Sequence, residues 1–410
     1  MHDRSRTPSK SCIRNRDHED DVNYTLEMCR WLLKPLGVWT LIYRRSSGPQ
    51  KALSVLLLLS CVSCLLFIML PSANNIFFGE QDIDTKVKLL GPVSFCVFSM
   101  IKYGYLSAKG EILGRCVQHV ERDWRMVERQ DHRTIMLKQA AISRHLITIC
   151  VVFLYTGGMS YHTVMQFLSK ETRQRNVTVR PLTYPCFNFL DAQSSPTYEI
   201  VFFFHCAAAM VMQTITTAAY SLAATFVTHI CGQIQIQIAR LQNLIDEGQD
   251  KGAFHQQMAT IVSNHVEILR FSKDVEKALR EVCLIEIVES TLIICLLEYY
   301  CLTEWQKSDA VAILTYFMLL TSFTFNVLIY CYVGEILSEQ CSRVGPASYN
   351  VYWYNLPAKK AYNLILLNAV SLYPPKLTAG KIIQLSFTTF SAVVKTSVMY
   401  LNLLRTVTTW

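Results

Sequence analysis

The sequence predicts an all-α membrane protein: seven transmembrane helices, a cytoplasmic N-terminus, an extracellular C-terminus and a cytoplasmic helical anchor region. Three observations carry that expectation. Of the 410 residues, 51% are hydrophobic and only 17% charged, whereas soluble domains carry about 25% charged residues. Seven apolar stretches approach the roughly 20 residues that cross a hydrocarbon layer about 30 Å thick. The lysines and arginines fall on alternate sides of these stretches, about 27 against about 7.

The stretches are 52–70, 89–106, 142–167, 198–228, 282–302, 310–332 and 382–404. Backbone polar groups cannot be left facing lipid, so runs of this length are read as helices. Pro71 and the polar residues 72–84 are expected to close the first. Gly91, Pro92 and Lys102 interrupt the second. The fourth is long enough to project beyond the bilayer, and its pattern continues through 233–245. The chain therefore divides into a cytoplasmic segment at 1–50 and four spans over 51–228 with an extracellular loop at 169–196. Cytoplasmic anchor helices follow at 229–280, two further spans at 281–332, a second anchor segment at 333–381 and a last span at 382–410.

The basic excess lies before span one and after spans two, four and six, which puts the N-terminus inside. The first fifty residues are polar and basic rather than a short apolar core with a cleavage site, so no leader is expected. A G-protein-coupled receptor has the reverse orientation. Span three here has no Asp-Arg-Tyr ending, and span seven has no Asn-Pro-x-x-Tyr. The formal charge of +8 is scattered between apolar blocks, so no nucleic-acid partner is expected; membrane lipid is. Asn176-Val177-Thr178, in the outer loop, is an N-glycosylation acceptor pattern.

Most of the 15 cysteines sit in apolar segments, among them Cys61, Cys96, Cys150 and Cys331, where a thiol behaves as a small hydrophobe. No CxxC pair has a matching second pair, so no metal site is expected. Cys186 and Cys301 are two free thiols or an outer disulfide. The histidines are dispersed without carboxylate or cysteine partners, and no Gly-rich phosphate loop occurs. No cofactor and no enzymatic activity are expected. Glu286, Glu289 and Glu298 recur along span five, and intramembrane carboxylates face protein or water.

Two anchor stretches are amphipathic. Residues 254–279 carry Ile261, Val262, Ile268, Leu269 and Val275 between charges of both signs, a pattern that needs a partner surface. Residues 337–372 do likewise, with a helical run at 358–370. The outer halves of spans two, three, four and six hold Phe95, Ser99, Gly157, Tyr161, Phe202, Phe203, His205, Ile313, Tyr316 and Phe317. Aromatic and aliphatic walls with a few polar groups suit a small apolar ligand, and ordinary helix packing uses the same residues. On the last span, Thr396, Tyr400, Leu403 and Val407 share one side at helical spacing, with Lys395 among apolar neighbours. An apolar ring of Leu403 and Val407 around an axis could gate by dewetting.

The C-terminal residues resemble the insect odorant receptors. The likeness runs through Cys331, Gly334, Ser338, Tyr349, Trp353-Tyr354, Leu377-Thr378-Ala379-Gly380-Lys381, Phe390, Lys395, Ser397, Tyr400 and Leu404-Arg405. Tyr184-Pro185, Ser195-Pro196-Thr197-Tyr198-Glu199, His229-Ile230-Cys231-Gly232-Gln233 and the stretch 265–275 are also similar, so that it covers residues 25–408. The resemblance implies an odorant-gated, non-selective cation channel in the plasma membrane of a sensory neuron dendrite. It would be a heterotetramer with the family's shared odorant co-receptor. It also implies a pocket for a small volatile odorant between spans two to six, and an anchor built partly from a short helix at 357–373. The last span would line the pore, with its gate at Leu403 and Val407 and Thr406 beside it. Val398-Met399 departs from the family's usual tail. The co-receptor's long cytoplasmic insertion has no counterpart, which points to an odour-tuning subunit. A metabotropic, G-protein-coupled-type receptor and a gustatory receptor remain the alternatives.

Overall fold

The computed structural model describes residues 15–43, 47–79, 83–168, 172–174, 177–180, 182–187, 191–244, 251–351, 354 and 358–408. Helix α1 (His18–Leu33) opens with Glu19, Asp20 and Asp21, where carboxylates meet the positive end of the helix dipole. Its Leu26, Cys29, Leu32 and Leu33 form one buried face. Arg133 grips Asp21 through two contacts of 2.9 Å, a forked pairing that fixes α1 to the third long helix of the bundle. Helix α2 (Trp39–Ile42) is a single turn.

Helix α3 (Gly48–Phe78) does not end at Pro71; it runs through that buried proline for two further turns. Likewise α4 (Ile83–Ala108) is continuous through Gly91 and Pro92, and Lys102 does not break it. Its ammonium is fully buried and paired with carboxylates from another helix, which offsets part of the cost of a buried charge. Helix α5 (Gly110–Met126) is amphipathic, burying Leu113, Cys116, Val117, Val120 and Trp124.

Four rods form the centre: α6 (Gln130–Leu168), α7 (Thr197–Asn243), α8 (Lys251–Lys307) and α9 (Ala310–Ser342). At 1.5 Å per residue α8 extends about 85 Å, nearly three times the hydrocarbon thickness. The spans expected at 198–228 and 282–302 are thus segments of longer helices. The positions 228 and 280 lie inside continuous helix, and the amphipathic stretch 254–279 belongs to the same rod as span five. Helix α7 is the axis, touching α1, α3, α4, α6, α8 and α9. Buried Ala208, Ala209, Ala218, Ala219, Ala223 and Ala224 let the neighbouring backbones approach closely. Asp309 starts α9 by accepting from the Val311 and Ala312 amides at 3.2 and 3.1 Å.

Between α6 and α7, β1 (Thr172–Gln174) pairs antiparallel with β2 (Val177–Val179), Arg173 opposite Thr178. Asn176 lies outside the described residues. Cys186 and Cys301 are both free thiols.

Helices α10 (Val344–Tyr349) and α11 (Ala358–Ser371) precede a hairpin of β3 (Thr378–Ala379) and β4 (Ile383–Gln384). That hairpin delays the last helix, α12 (Phe387–Thr408), by five residues relative to the expected start at 382. Its turn places Gly380 and Lys381 at φ +63° and +62°. A Cβ on Gly380 would lie 2.7 Å from Leu284 Cδ2, so glycine serves both the backbone conformation and the close approach. The Gly380 amide donates to the Arg280 carbonyl at 2.8 Å, docking the hairpin on α8.

Among the described residues, α3, α4, α6, α7 and α9 contain segments long and apolar enough by themselves to cross a membrane. Helices α8 and α12 are not in that set. The expected span of α8 carries Glu286, Glu289 and Glu298, and that of α12 carries Lys395 among threonines and serines. The α8 carboxylates find their partners inside the bundle, as described next.

Candidate functional site

One end of the bundle holds an apolar pocket of about 490 Å³ including the space at its open side, walled by α4, α6, α7, α8, α9 and a residue of the loop before α7. Phe95, Ile293, Leu296, Leu297, Leu319 and Phe323 supply its apolar surface, and Tyr161, Tyr300 and Tyr316 close it with phenol rings. Phe95 meets Phe323 edge-on at 5.4 Å, and Tyr300 lies 5.2 Å from Tyr316, distances at which aromatic pairs attract beyond simple burial. Gly91 and Pro92, read from the sequence as an interruption, form part of the wall. A Cβ on Gly91 would stand 3.0 Å from the Tyr300 hydroxyl.

Polar groups are few, and Tyr300, His162 and Tyr184 are committed within the chain. The Tyr300 hydroxyl donates to the Val87 carbonyl at 2.6 Å. His162 Nδ1 lies 2.8 Å from the Gly158 carbonyl. A carbonyl only accepts, so Nδ1 carries the proton and Nε2 accepts from the Tyr184 hydroxyl at 3.2 Å. Burial pushes the Tyr184 phenol well above its ordinary range, which keeps it a donor. Gln213 differs from these. Its amide crosses the pocket wall over Gly158, where a Cβ would lie 2.1 Å from Gln213 Nε2, and its buried Oε1 has no partner. A buried acceptor left unpaired costs about 1–3 kcal/mol, so a ligand bringing one hydroxyl or amine donor gains there.

Beneath this pocket is a charged core. Lys102 Nζ sits 5.8 Å over the Phe95 ring and contacts Glu286 at 2.9 Å, Glu289 at 2.7 Å and Thr216 Oγ1 at 2.8 Å. The Tyr220 hydroxyl donates to Glu286 at 2.8 Å, and Tyr220 meets Tyr330 edge-on at 4.6 Å. The cluster ties α4, α7, α8 and α9 together directly below a pocket residue.

From α8 the contacts continue to α12. Ser397 Oγ donates to Glu298 Oε1 at 3.2 Å, and Val393 and Ser397 are buried. The flank beside that packing face is open in the single chain: Thr396 is half-buried, while Tyr400, Leu403 and Thr406 are exposed. The Val407 side chain lies outside the described residues.

Of the pocket residues proposed from sequence, Phe95, Tyr161 and Tyr316 line the cavity together. The others stand elsewhere. Ser99 is buried one turn further along α4 with its hydroxyl unpartnered. Gly157 packs on Ser322, Phe202 stacks on Tyr198, and Ile313 is half-buried outside the cavity. His205 is buried against Phe67 and Tyr184, behind the wall. Phe203 and Phe317 are exposed. Sequence reasoning missed Tyr300, His162, Tyr184 and Gln213. The adjacent Tyr299-Tyr300 near the end of span five and Tyr184-Pro185 in the loop before α7 were the available signals.

The family described as 7tm Odorant receptor matches residues 82–398. Odorant receptor 13a of Drosophila melanogaster is 25% identical over 245 residues, covering 56% of this chain and 58% of that one. Odorant receptor Or2 of Anopheles gambiae is 23% identical, covering 53% and 59%. The chain thus spans under three fifths of the length of these curated relatives. The insect olfactory receptor OR5 from Machilis hrabei, solved in complex with eugenol, superposes with a TM-score of 0.78 at 11% identity, covering 95% of this chain and 100% of that one.

Proposed function

The chain belongs to the 7tm Odorant receptor family, and on that premise we propose that it is the odour-tuning subunit of a ligand-gated, non-selective cation channel. In this reading it sits in the plasma membrane of sensory dendrites as a heterotetramer with the odorant co-receptor, N-terminus inside and C-terminus outside. The multi-pass fold itself follows from the match over nearly the whole chain with an insect olfactory receptor structure.

One observation carries the ligand assignment: an aromatic pocket whose buried Gln213 Oε1 lacks a partner. That chemistry fits a small volatile molecule, largely apolar, with a single hydrogen-bond donor. Binding favours whichever conformation it fits better. The Lys102 cluster, which touches Phe95 above and holds α8 below, offers the mechanical link. Helix α12 is fastened to α8 through Ser397 and Glu298 and would follow. Its open flank would face the other subunits, Leu403 and Val407 forming the constriction with Thr396, Tyr400 and Thr406 along the lining. Residues 229–280 and 333–381 would form the cytoplasmic anchor between subunits.

The test is electrophysiological. Expressed with the co-receptor and exposed to an odour panel, the chain should give currents that persist in excised patches without nucleotide. Tyr316→Ala or Tyr161→Ala should shift the odour ranking while leaving surface expression unchanged. Currents abolished by blocking G proteins would overturn the channel reading. An unaltered ranking would remove the pocket from it.

A further inference from the structure

A larger groove, about 2540 Å³ including the space at its open face, lies where α1, α2 and the start of α3 meet α6 and α7. It shares no residue with the odorant pocket, and its two ends differ in chemistry. At one end stand Arg30 and Lys34, with Trp39 and Tyr43 beside them. Trp39 carries the Arg30 guanidinium 5.5 Å above its ring. Arg30 donates to Asn23 Oδ1 at 3.2 Å, yet its buried Nε has no partner. The carboxylate sharing this cavity, Glu27, is already held by Arg144 at 2.7 Å. Among the described residues no carboxylate pairs with Arg30 or Lys34, so the mouth is cationic.

Away from the mouth the groove turns apolar. Leu53, Leu57 and Cys61 lie four residues apart on α3, and Met210 faces them from α7. The deep hydroxyls are spent on each other: Tyr155 and Thr214 share a hydrogen bond of 2.7 Å, and Thr214 donates to the Met210 carbonyl at 2.6 Å. From Gln50 to Cys61 the wall runs about 16 Å, the depth of one hydrocarbon leaflet. Tryptophan and tyrosine at the mouth occupy the place such rings take at a membrane interface. A cationic mouth above one leaflet's depth of apolar wall matches a lipid in charge, length and orientation.

We propose that this groove binds one anionic glycerophospholipid of the leaflet on the α1 side. Its phosphate and acidic headgroup meet Arg30 and Lys34, and one acyl chain lies along Leu53, Leu57 and Cys61. The lipid wedges α3 against α6 and α7 and holds α1 and α2 at the membrane surface.

The experiment uses the full chain in nanodiscs of phosphatidylcholine, doped with a phosphatidylserine or a phosphatidylcholine whose acyl chain carries a diazirine. After illumination and digestion, the serine lipid should label peptides containing 53–61 and 210–214 about thirtyfold more than the choline lipid, the attraction two interfacial cations exert. Arg30→Gln with Lys34→Gln should bring that labelling down to the choline level while labelling on the rest of α3 stays constant. Leu57→Trp, which fills the groove and keeps both cations, should abolish it. Equal labelling by the two lipids would mean an unselective annular shell and would overturn the proposal. So would serine labelling that survives both variants, or groove peptides cross-linked to a second protein chain.

Discussion

The pocket and the terminal helix stand at opposite extremes of completeness. Every wall of the pocket comes from one chain, and His162, Tyr184 and Tyr300 find their hydrogen-bond partners on that chain. Helix α12 buries Val393 and Ser397 but leaves Tyr400 47% and Leu403 61% exposed. In one chain nothing covers that flank. In the proposed reading, ligand recognition is a property one chain holds alone. In the same reading, ion conduction belongs to an assembly in which each copy contributes an edge. The Lys102 cluster lies between the two regions, and perturbing it tests whether they communicate.

The largest effect is expected there. Lys102→Met strands two buried carboxylates, and breaking a buried pair costs about 3–5 kcal/mol. Thermal unfolding of the purified chain should drop sharply, and surface expression should fall with it. Replacing Glu286 and Glu289 by Gln in the same chain should recover much of the loss. A Lys102→Met protein with unchanged unfolding would show that the two regions are not joined through this core.

Next in size comes the exposed flank. Leu403→Ala or Val407→Ala should raise resting leak current without reordering the odour ranking, because an apolar constriction holds water out only while it is wide enough in side chain. Leak untouched by both would place the flank against lipid and blur the contrast drawn above. A smaller effect belongs to the pocket. Gly158→Ala pushes a methyl into the Gln213 amide, and overpacking of this kind costs about 1–3 kcal/mol. Half-maximal odorant concentrations should rise about tenfold with the leak unchanged. Altered leak with unchanged sensitivity would reverse the division of labour.

The helices were legible because apolar runs near twenty residues leave little else to build in lipid. Their true lengths were not. Continuity of α8 through its charged half depends on packing that alternation of charge cannot disclose. Lys102 was misread as an interruption because its acceptor Glu286 lies 184 residues away in sequence. In the pocket, Tyr316 lines the cavity while Phe317, one residue on, faces outward. A helix turns about 100° per residue, and the sequence does not give the register of one helix against another. Tyr184 and Tyr300 went unseen for a related reason: loop closure and the far end of α8 brought them in, and neither carries a periodic signature.

Gln213 offers the most direct test that odour selectivity resides in this chain's own pocket. Dose–response curves should be measured for a hydroxylated odorant and its deoxy analogue, on the parent chain and on Gln213→Leu, each with the co-receptor. Losing one hydrogen bond of about 1 kcal/mol should cost the hydroxylated ligand about fivefold in potency and leave the deoxy analogue where it was. Curves that shift together, or not at all, would contradict the account.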